Sequence, residues 1–449
     1  MISASLSRWS MSYFAAALAA LVAAQALMVA GYGFPNAPVR SPETLVLVHL
    51  VALGWLSLLM CGALFQFVPV LVARPLFSND LPLPTLLCLL GGLASLLLGF
   101  LALDGRIAPL LPFFPLAAGL LGLGFALVLW NLGRTLWSAR PLAAPARFVV
   151  VGLACAAATA ALGIVLALAL GGATSYGPFL ALSARGVPIH AIAGLGGWLT
   201  VTAMGVSYRL LAMFMLAPEL DRASTRAALH LGTGALTVAI LGGVAAIWIG
   251  GAPDLALLAA GALGLAALAC YGADVVRLYR ARRRRSIELN SRMAVLALAS
   301  AAIAAAASAA ALAFGELQRH AGAIVFLVAF GWLSGLGLAK LYKIVAFLTW
   351  LECYGPILGK KPTPRVQDLV VDARAGKWFL LYFLAVWCGA AALLAGHPAA
   401  FRGAAAAMLV ATGAIVLQLL RARRLADVAA AARFPEGARR PRLLLSLSR

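Results

Sequence analysis

The composition of this 449-residue chain is that of a membrane protein. Hydrophobic residues make up 64% of it and charged residues 11%, with a mean hydropathy of +1.00. Soluble domains instead have about 45–50% apolar and about 25% charged residues. The apolar runs are about 20–30 residues long, which suits membrane-spanning helices and excludes the shorter alternating strands of a β-barrel. We therefore expect an all-α integral membrane protein in contact with the lipid bilayer.

The formal net charge of +21 does not indicate a nucleic-acid partner. Lys and Arg are concentrated in the short loops between apolar runs, where basic residues set the orientation of membrane spans. The six cysteines are dispersed and form no C-x-x-C motif. They are typical of small residues inside apolar runs rather than of disulfides or metal ligands.

Twelve spans are predicted, centred roughly on residues 22, 58, 92, 120, 158, 202, 237, 264, 302, 334, 385 and 410. The first apolar run, from about Tyr13 to Phe34, lacks a cleavage site and is expected to remain as a span. If the even number of spans puts both termini in the cytoplasm, the outside loops hold only five of the 35 basic residues: Arg40, Arg106, Arg185, Arg319 and Arg402. The positive-inside rule therefore predicts cytoplasmic termini, in a bacterial inner membrane.

One pattern occurs three times, as "HLVALGWLSLLMCGALFQFVPVL", "HAIAGLGGWLTVTAMGVSYRLLAMF" and "HAGAIVFLVAFGWLSGLGLAKLYKIVAF". The three copies align on Trp55, Trp198 and Trp332, and three kinds of residue then recur at the same spacing. A hydroxyl lies two residues after the tryptophan (Ser57, Thr200, Ser334), a small residue seven after (Gly62, Gly205, Ala339) and an aromatic ring ten after (Phe65, Tyr208, Tyr342). The recurrence predicts three four-helix units, at about residues 12–135, 146–280 and 287–424, followed by a basic tail at 425–449. We expect three four-helix arcs with pseudo-threefold symmetry.

Three of the five histidines begin these copies. His49, His190 and His320 stand six, eight and twelve residues before their respective tryptophans, near the outer ends of spans 2, 6 and 10. An ionisable side chain inside the membrane is a functional candidate because it costs free energy unless it is paired or ligated. The alternative is a neutral histidine bonded to a backbone carbonyl. The other two, His230 and His397, are expected at the membrane interfaces.

This arrangement, with the segments "HLVALGW…GALFQFVP" and "HAIAGLGGW…GVSYRLL", resembles the catalytic subunit I of the haem-copper oxidase superfamily, in the branch of nitric oxide reductases and oxidases that use C-type cytochromes. The resemblance implies a low-spin haem b with His49 and His320 as axial ligands, Arg319 as a candidate partner of its propionates, and His190 at the copper position. His190 is also a substitute partner for His49, about 3 Å from its level.

The chain departs from the family pattern at the oxygen-reducing centre. Ile324 and Phe326 stand where span 10 of the family has a His-x-His pair, and the adjacent histidines of the copper site are missing. We therefore expect no copper, assign no catalytic residue and lean against an enzyme. The expected function is electron transfer or binding of a diatomic gas such as nitric oxide, with an electron-transfer partner or accessory subunit; the alternative is a haem-free small-solute or copper transporter.

Polar residues at the inner ends complete the predictions. Lys340, Lys343 and Arg209 are expected to extend to the lipid headgroups, and Glu352 to pair with Lys343 or Arg209. The loop at 353–377 is either a docking site or a cap on the bundle. The Arg-rich tail suits anionic headgroups.

Overall fold

The computed structural model describes residues 8–444, in which every regular element is a helix and no strand occurs. Twelve of its helices are long and apolar enough to cross a membrane, which confirms the predicted number of spans. In chain order, spans 1 to 12 are Ser10–Ala30, Pro42–Val72, Pro82–Leu103, Phe113–Trp137, Ala144–Leu170, Val187–Met215, Ala223–Trp248, Asp254–Arg280, Leu289–Ala313, Leu317–Ile357, Asp372–Leu394 and Pro398–Arg423. We call the side on which both ends of the chain lie the inner side.

Local sequence explains where the first two spans end and begin. Span 1 stops earlier than the predicted Phe34 because Gly31 takes a left-handed conformation, with φ of +79°, that closes the last helical turn. Span 2 begins after Ser41, whose hydroxyl accepts a hydrogen bond from the Thr44 amide at 3.3 Å. Pro42 occupies the first turn, where its missing N–H is no loss. These signals place His49 about two turns into span 2.

Spans 2, 6 and 10 form the interior of the bundle. Consecutive spans pack against each other, and span 1 also packs against span 12. In the most apolar part of spans 2, 6 and 10, 56%, 56% and 72% of the residues are buried, against 50% or less in every other span. The three spans that carry the aligned sequence pattern are therefore the ones most enclosed by the others.

The glycine before each aligned tryptophan makes an equivalent contact in each unit. A Cβ atom at Gly54 would lie 2.8 Å from Cβ of Ala20 in span 1, and one at Gly197 would lie 2.5 Å from Cβ of Cys155 in span 5. At Gly331 it would lie 2.7 Å from Cβ of Ser300 in span 9. In each unit the second span therefore packs against the first at the same sequence position, through a residue that has no side chain.

The same three spans contain π-helical segments around the aligned tryptophans. They cover Leu50–Ser57, Ile192–Val201 and Leu327–Ser334, and these segments contact one another pairwise. A shorter π segment, Val238–Gly242, lies in span 7. π segments are rare and occur often at functional sites. The arrangement of the units as three symmetric arcs stays a prediction.

The loop after span 10 and the C-terminal segment together cover the inner end of that span. Tyr354 donates a hydrogen bond to the carbonyl of Arg433 in the C-terminal segment at 2.9 Å, and Nε1 of Trp350 donates to the carbonyl of Pro364 in the loop at 2.6 Å. Of the two roles considered for the 353–377 loop, capping is the one that these contacts favour. Glu352 pairs with Arg423 of span 12 at 2.5 Å, so its predicted pairing with Lys343 or Arg209 was wrong.

Candidate functional site

The His49 side chain is held by a backbone bond within its own helix. Its Nδ1 lies 2.8 Å from the carbonyl oxygen of Leu45, one turn earlier. Because a carbonyl can only accept, Nδ1 carries the proton and Nε2 of the neutral ring keeps a free lone pair. A bond of this kind, from a neutral histidine to a backbone carbonyl, was the alternative to metal ligation that the sequence left open for an intramembrane histidine. It is also the arrangement that orients imidazole ligands toward metals.

The His49 ring lies in an aromatic and aliphatic surrounding. It packs against Phe100 of span 3, with ring centroids 5.2 Å apart. Phe100 in turn meets Phe114 of span 4 edge to face at 5.5 Å. Both phenylalanines belong to a separate hydrophobic cluster formed by spans 2 to 5 in their outer halves. Packing on this cluster limits the rotation of the His49 ring.

His190 faces the same region from span 6. A Cβ atom at Gly163 of span 5 would lie 3.2 Å from Cε1 of His190, so the missing side chain at this glycine makes room for the ring. Nδ1 of His190 is buried and has no hydrogen-bond partner among residues 8–444. Ile164, the residue after Gly163, packs against the cluster that contains Phe100. The two histidines therefore border the same outer cluster, His49 from the first unit and His190 from the second.

His320 and Arg319 lie at the outer surface of span 10. Within the described part of the chain, the His320 side chain makes no hydrogen bond, ion pair or ring contact, and nothing joins it to His49. Arg319 is 76% exposed and lies 3.6 Å from Glu316. The Phe34 ring packs tightly against span 10 at Gly322, two residues after His320. The expected role of His320 and Arg319 at a haem stays a prediction.

The remaining arginines and histidines near the membrane boundaries are peripheral. Arg40 donates a hydrogen bond to the carbonyl of Ala184 at 3.3 Å, which ties the loop before span 2 to the loop before span 6. Arg185 donates to the carbonyl of Gly251 at 2.9 Å. His230, near the inner end of span 7, and His397, in the outer turn before span 12, are both exposed, and their interfacial positions stay a prediction.

Two of the aligned tryptophans are joined to hydroxyls of another unit. Nε1 of Trp55 donates to Oγ of Ser334 at 2.7 Å, and Nε1 of Trp198 donates to Oγ of Ser57 at 3.1 Å. Nε1 of Trp332 is buried without a partner in the described chain. The recurrence of a hydroxyl two residues after each tryptophan was the sequence signal for these ties, although sequence alone did not show that they join different units.

A cavity of about 90 Å³ lies beside the tryptophans, between spans 2, 6 and 10. Lys340 contributes to its wall and is only 7% exposed. The prediction that Lys340 extends to the headgroups was therefore wrong, because the inward-facing side of span 10 directs it between the helices. Lys343 and Arg209 instead pair with Glu288 and Glu219.

The donor set at the histidine pair limits its chemistry. No group of three or more His, Cys, Asp or Glu side chains that could hold a metal ion occurs among residues 8–444. Two neutral imidazoles remain, one with a free Nε2 and one with an unpartnered Nδ1. Imidazole is an axial ligand of haem iron, whose other ligands come from the porphyrin, so this donor set suits a haem better than a free metal ion. No protein-family model matches the chain, and no curated protein matches it.

Proposed function

We propose that the protein is a membrane haem protein in which His49 and His190 hold one b-type haem. The observation that carries the proposal is that two imidazoles, from spans 2 and 6, border the same aromatic and aliphatic cluster in the outer halves of spans 2 to 5. Of the two partners considered for His49, this proposal takes His190, because the partly buried His320 side chain makes no hydrogen bond, ion pair or ring contact in the described chain and does not border this cluster.

The protein side chains have defined tasks in this proposal. The bond from His49 Nδ1 to the Leu45 carbonyl fixes the tautomer and aims Nε2 away from the helix. Gly163 leaves space for the His190 ring. Arg40 brings positive charge to the outer rim where the loops of the two histidine spans meet, a position suited to carboxylate groups of a ligand.

Electron transfer is the function that this ligand set favours. Haem iron held by two imidazoles supplies a low-spin centre suited to electron transfer. Binding a diatomic gas would require one histidine to leave. Oxygen reduction is not proposed, since the histidines of the copper site are missing from the sequence.

The arrangement of the spans supports two further parts of the proposal. The three glycine contacts, the three π segments and the two tryptophan ties join equivalent positions of the repeated pattern, as expected for three arcs about a pseudo-threefold axis. The one-sided basic loops favour cytoplasmic termini in a bacterial inner membrane.

A pyridine haemochrome spectrum tests the cofactor. Full-length protein from a haem-sufficient host should give a b-type spectrum close to one haem per chain. Purified protein without Soret absorbance would contradict the proposal and favour the alternative, a haem-free transporter.

A further inference from the structure

The cavity between spans 2, 6 and 10 combines an aliphatic wall with one amine. Every residue that lines it follows the aligned tryptophan of its span, and Lys340 and Ser207 are the two polar ones among them. Lys340 stands eight residues after Trp332, and the same step in the other two spans holds Ala63 and Val206. Both of these also line the cavity. The third unit therefore has an amine at the position where the other two units have aliphatic side chains.

The Lys340 amine has no polar partner. Its Nζ atom is buried and makes no hydrogen bond to any described residue. Its contact is with the face of the Phe214 ring, with Nζ 5.4 Å from the centroid. An ammonium in an aliphatic surrounding costs free energy unless an anion pairs with it. The aromatic face offsets only part of this cost.

Two carboxylates at the inner end of the bundle, Glu288 and Asp274, are held by other cations. Glu288 lies 2.9 Å from Nζ of Lys343. Burial alone would raise the pKa of Glu288, but the hydrogen bond and charge of Lys343, together with Arg284, hold that pKa below its usual value. Asp274 accepts hydrogen bonds from Arg277 and three hydroxyl groups. No carboxylate among residues 8–444 pairs with Lys340, so a counter-ion for its ammonium has to come from outside the described residues.

We propose that this cavity binds a short-chain aliphatic monocarboxylate, with its carboxylate on the Lys340 ammonium and its alkyl chain on the leucine-rich wall. One water needs about 10–15 Å³ of such volume, so a cavity of about 90 Å³ has room for roughly six to nine water-sized groups, which is enough for a ligand of four to six non-hydrogen atoms. Acetate to butyrate have this size. A single negative charge neutralises the single amine, and the aliphatic wall favours a ligand with an apolar end.

Equilibrium binding of radiolabelled butyrate to the full-length protein in nanodiscs tests this site. The wild type should bind butyrate saturably, and Lys340→Met should weaken binding about tenfold or more because the charge-assisted hydrogen bonds are lost. Ala203→Leu, which fills the cavity without changing the lysine, should also abolish binding. Lys343→Met is the matched control, since Lys343 already has Glu288, and it should bind as the wild type does.

Competitors separate the ligand classes. Acetate should displace butyrate, whereas butanol and chloride should not. Absence of saturable binding by the wild type, or unchanged binding by Lys340→Met, would contradict the site, as would equal displacement by butanol or chloride. If Lys340→Met does not fold, Ala203→Leu carries the test alone. Butyrate binding should persist in the double variant His49→Ala, His190→Ala, so the outcome is independent of the haem proposal.

Discussion

At the scale of single residues, two indole–hydroxyl hydrogen bonds link the aligned segments in the interior. Ser57 and Ser334 each accept from a tryptophan of another unit and also donate to the carbonyl five residues earlier in their own helix. Each hydroxyl therefore satisfies a π-helical carbonyl and an indole N–H at once. Buried donors without such a partner cost about 1–3 kcal/mol, which is the situation of Trp332.

The contrast between Trp55 and Trp332 gives a matched prediction. Both tryptophans are buried, so replacement by phenylalanine removes similar volume from the interior. Trp55→Phe also loses a hydrogen bond, whereas Trp332→Phe removes an unpartnered donor. We expect Trp55→Phe to lower the free energy of unfolding by about 1–3 kcal/mol more than Trp332→Phe does, as measured by denaturation in detergent. Equal losses would show that the Trp55 bond contributes nothing.

The polar residues show where sequence reasoning failed at this scale. Hydropathy placed Lys340 near an inner end, but it could not tell which face of span 10 points toward spans 2 and 6. The partner of Glu352 was missed because Arg423 is 71 residues away in the sequence and in another span. Both errors concern contacts between helices, for which a single sequence carries no direct signal.

At the scale of elements, close glycine contacts set how the second span of each unit packs. In span 6, a Cβ atom at Gly205 would lie 2.5 Å from Cβ of Phe148 and 2.7 Å from the carbonyl oxygen of Pro145. A backbone carbonyl cannot move away as a flexible side chain can, so spans 5 and 6 would have to separate. The small residue seven positions after the tryptophan is therefore required by packing.

Gly205→Ala should accordingly destabilise the protein by about 1–3 kcal/mol through overpacking. Gly413→Ala in span 12 is the control, because nothing lies within 4 Å of a Cβ atom at that position. Alanine is the better helix former by about 1 kcal/mol, so the control should be neutral or stabilised. Thermal unfolding of the two variants in the same detergent distinguishes them; a loss in the control as large as that in Gly205→Ala would refute the packing explanation.

The helices themselves were predictable, but their internal geometry was not. Apolar runs separated by basic loops revealed all twelve spans. The π segments were not predicted, because a change of the backbone hydrogen bonds from the i→i−4 to the i→i−5 pattern does not require a different amino-acid composition. The Gly-Trp alignment did mark their positions in spans 2, 6 and 10. At the candidate site, sequence identified His49 and named His190 as one of two partners, while the choice between His190 and His320 depends on packing.

At the scale of the whole molecule, charge determines the expected orientation. Twelve spans put both ends of the chain on one side, and the basic loops favour the cytoplasm for that side. Reporter fusions in the loop before Asp254 and in the loop after Arg280 should therefore give opposite signals, outside and inside respectively. The same compartment for both fusions would contradict the topology.

The central claim is that a haem is held between the first two units, by His49 and His190. The most direct measurement is the reduced and oxidised absorption spectrum of purified full-length variants. We expect His49→Ala and His190→Ala each to lose the low-spin spectrum, giving a high-spin or haem-free protein, while His320→Ala keeps it. Loss of the spectrum in His320→Ala with retention in His190→Ala would contradict the assignment of the ligands, and an unchanged spectrum in His49→Ala would contradict the site itself.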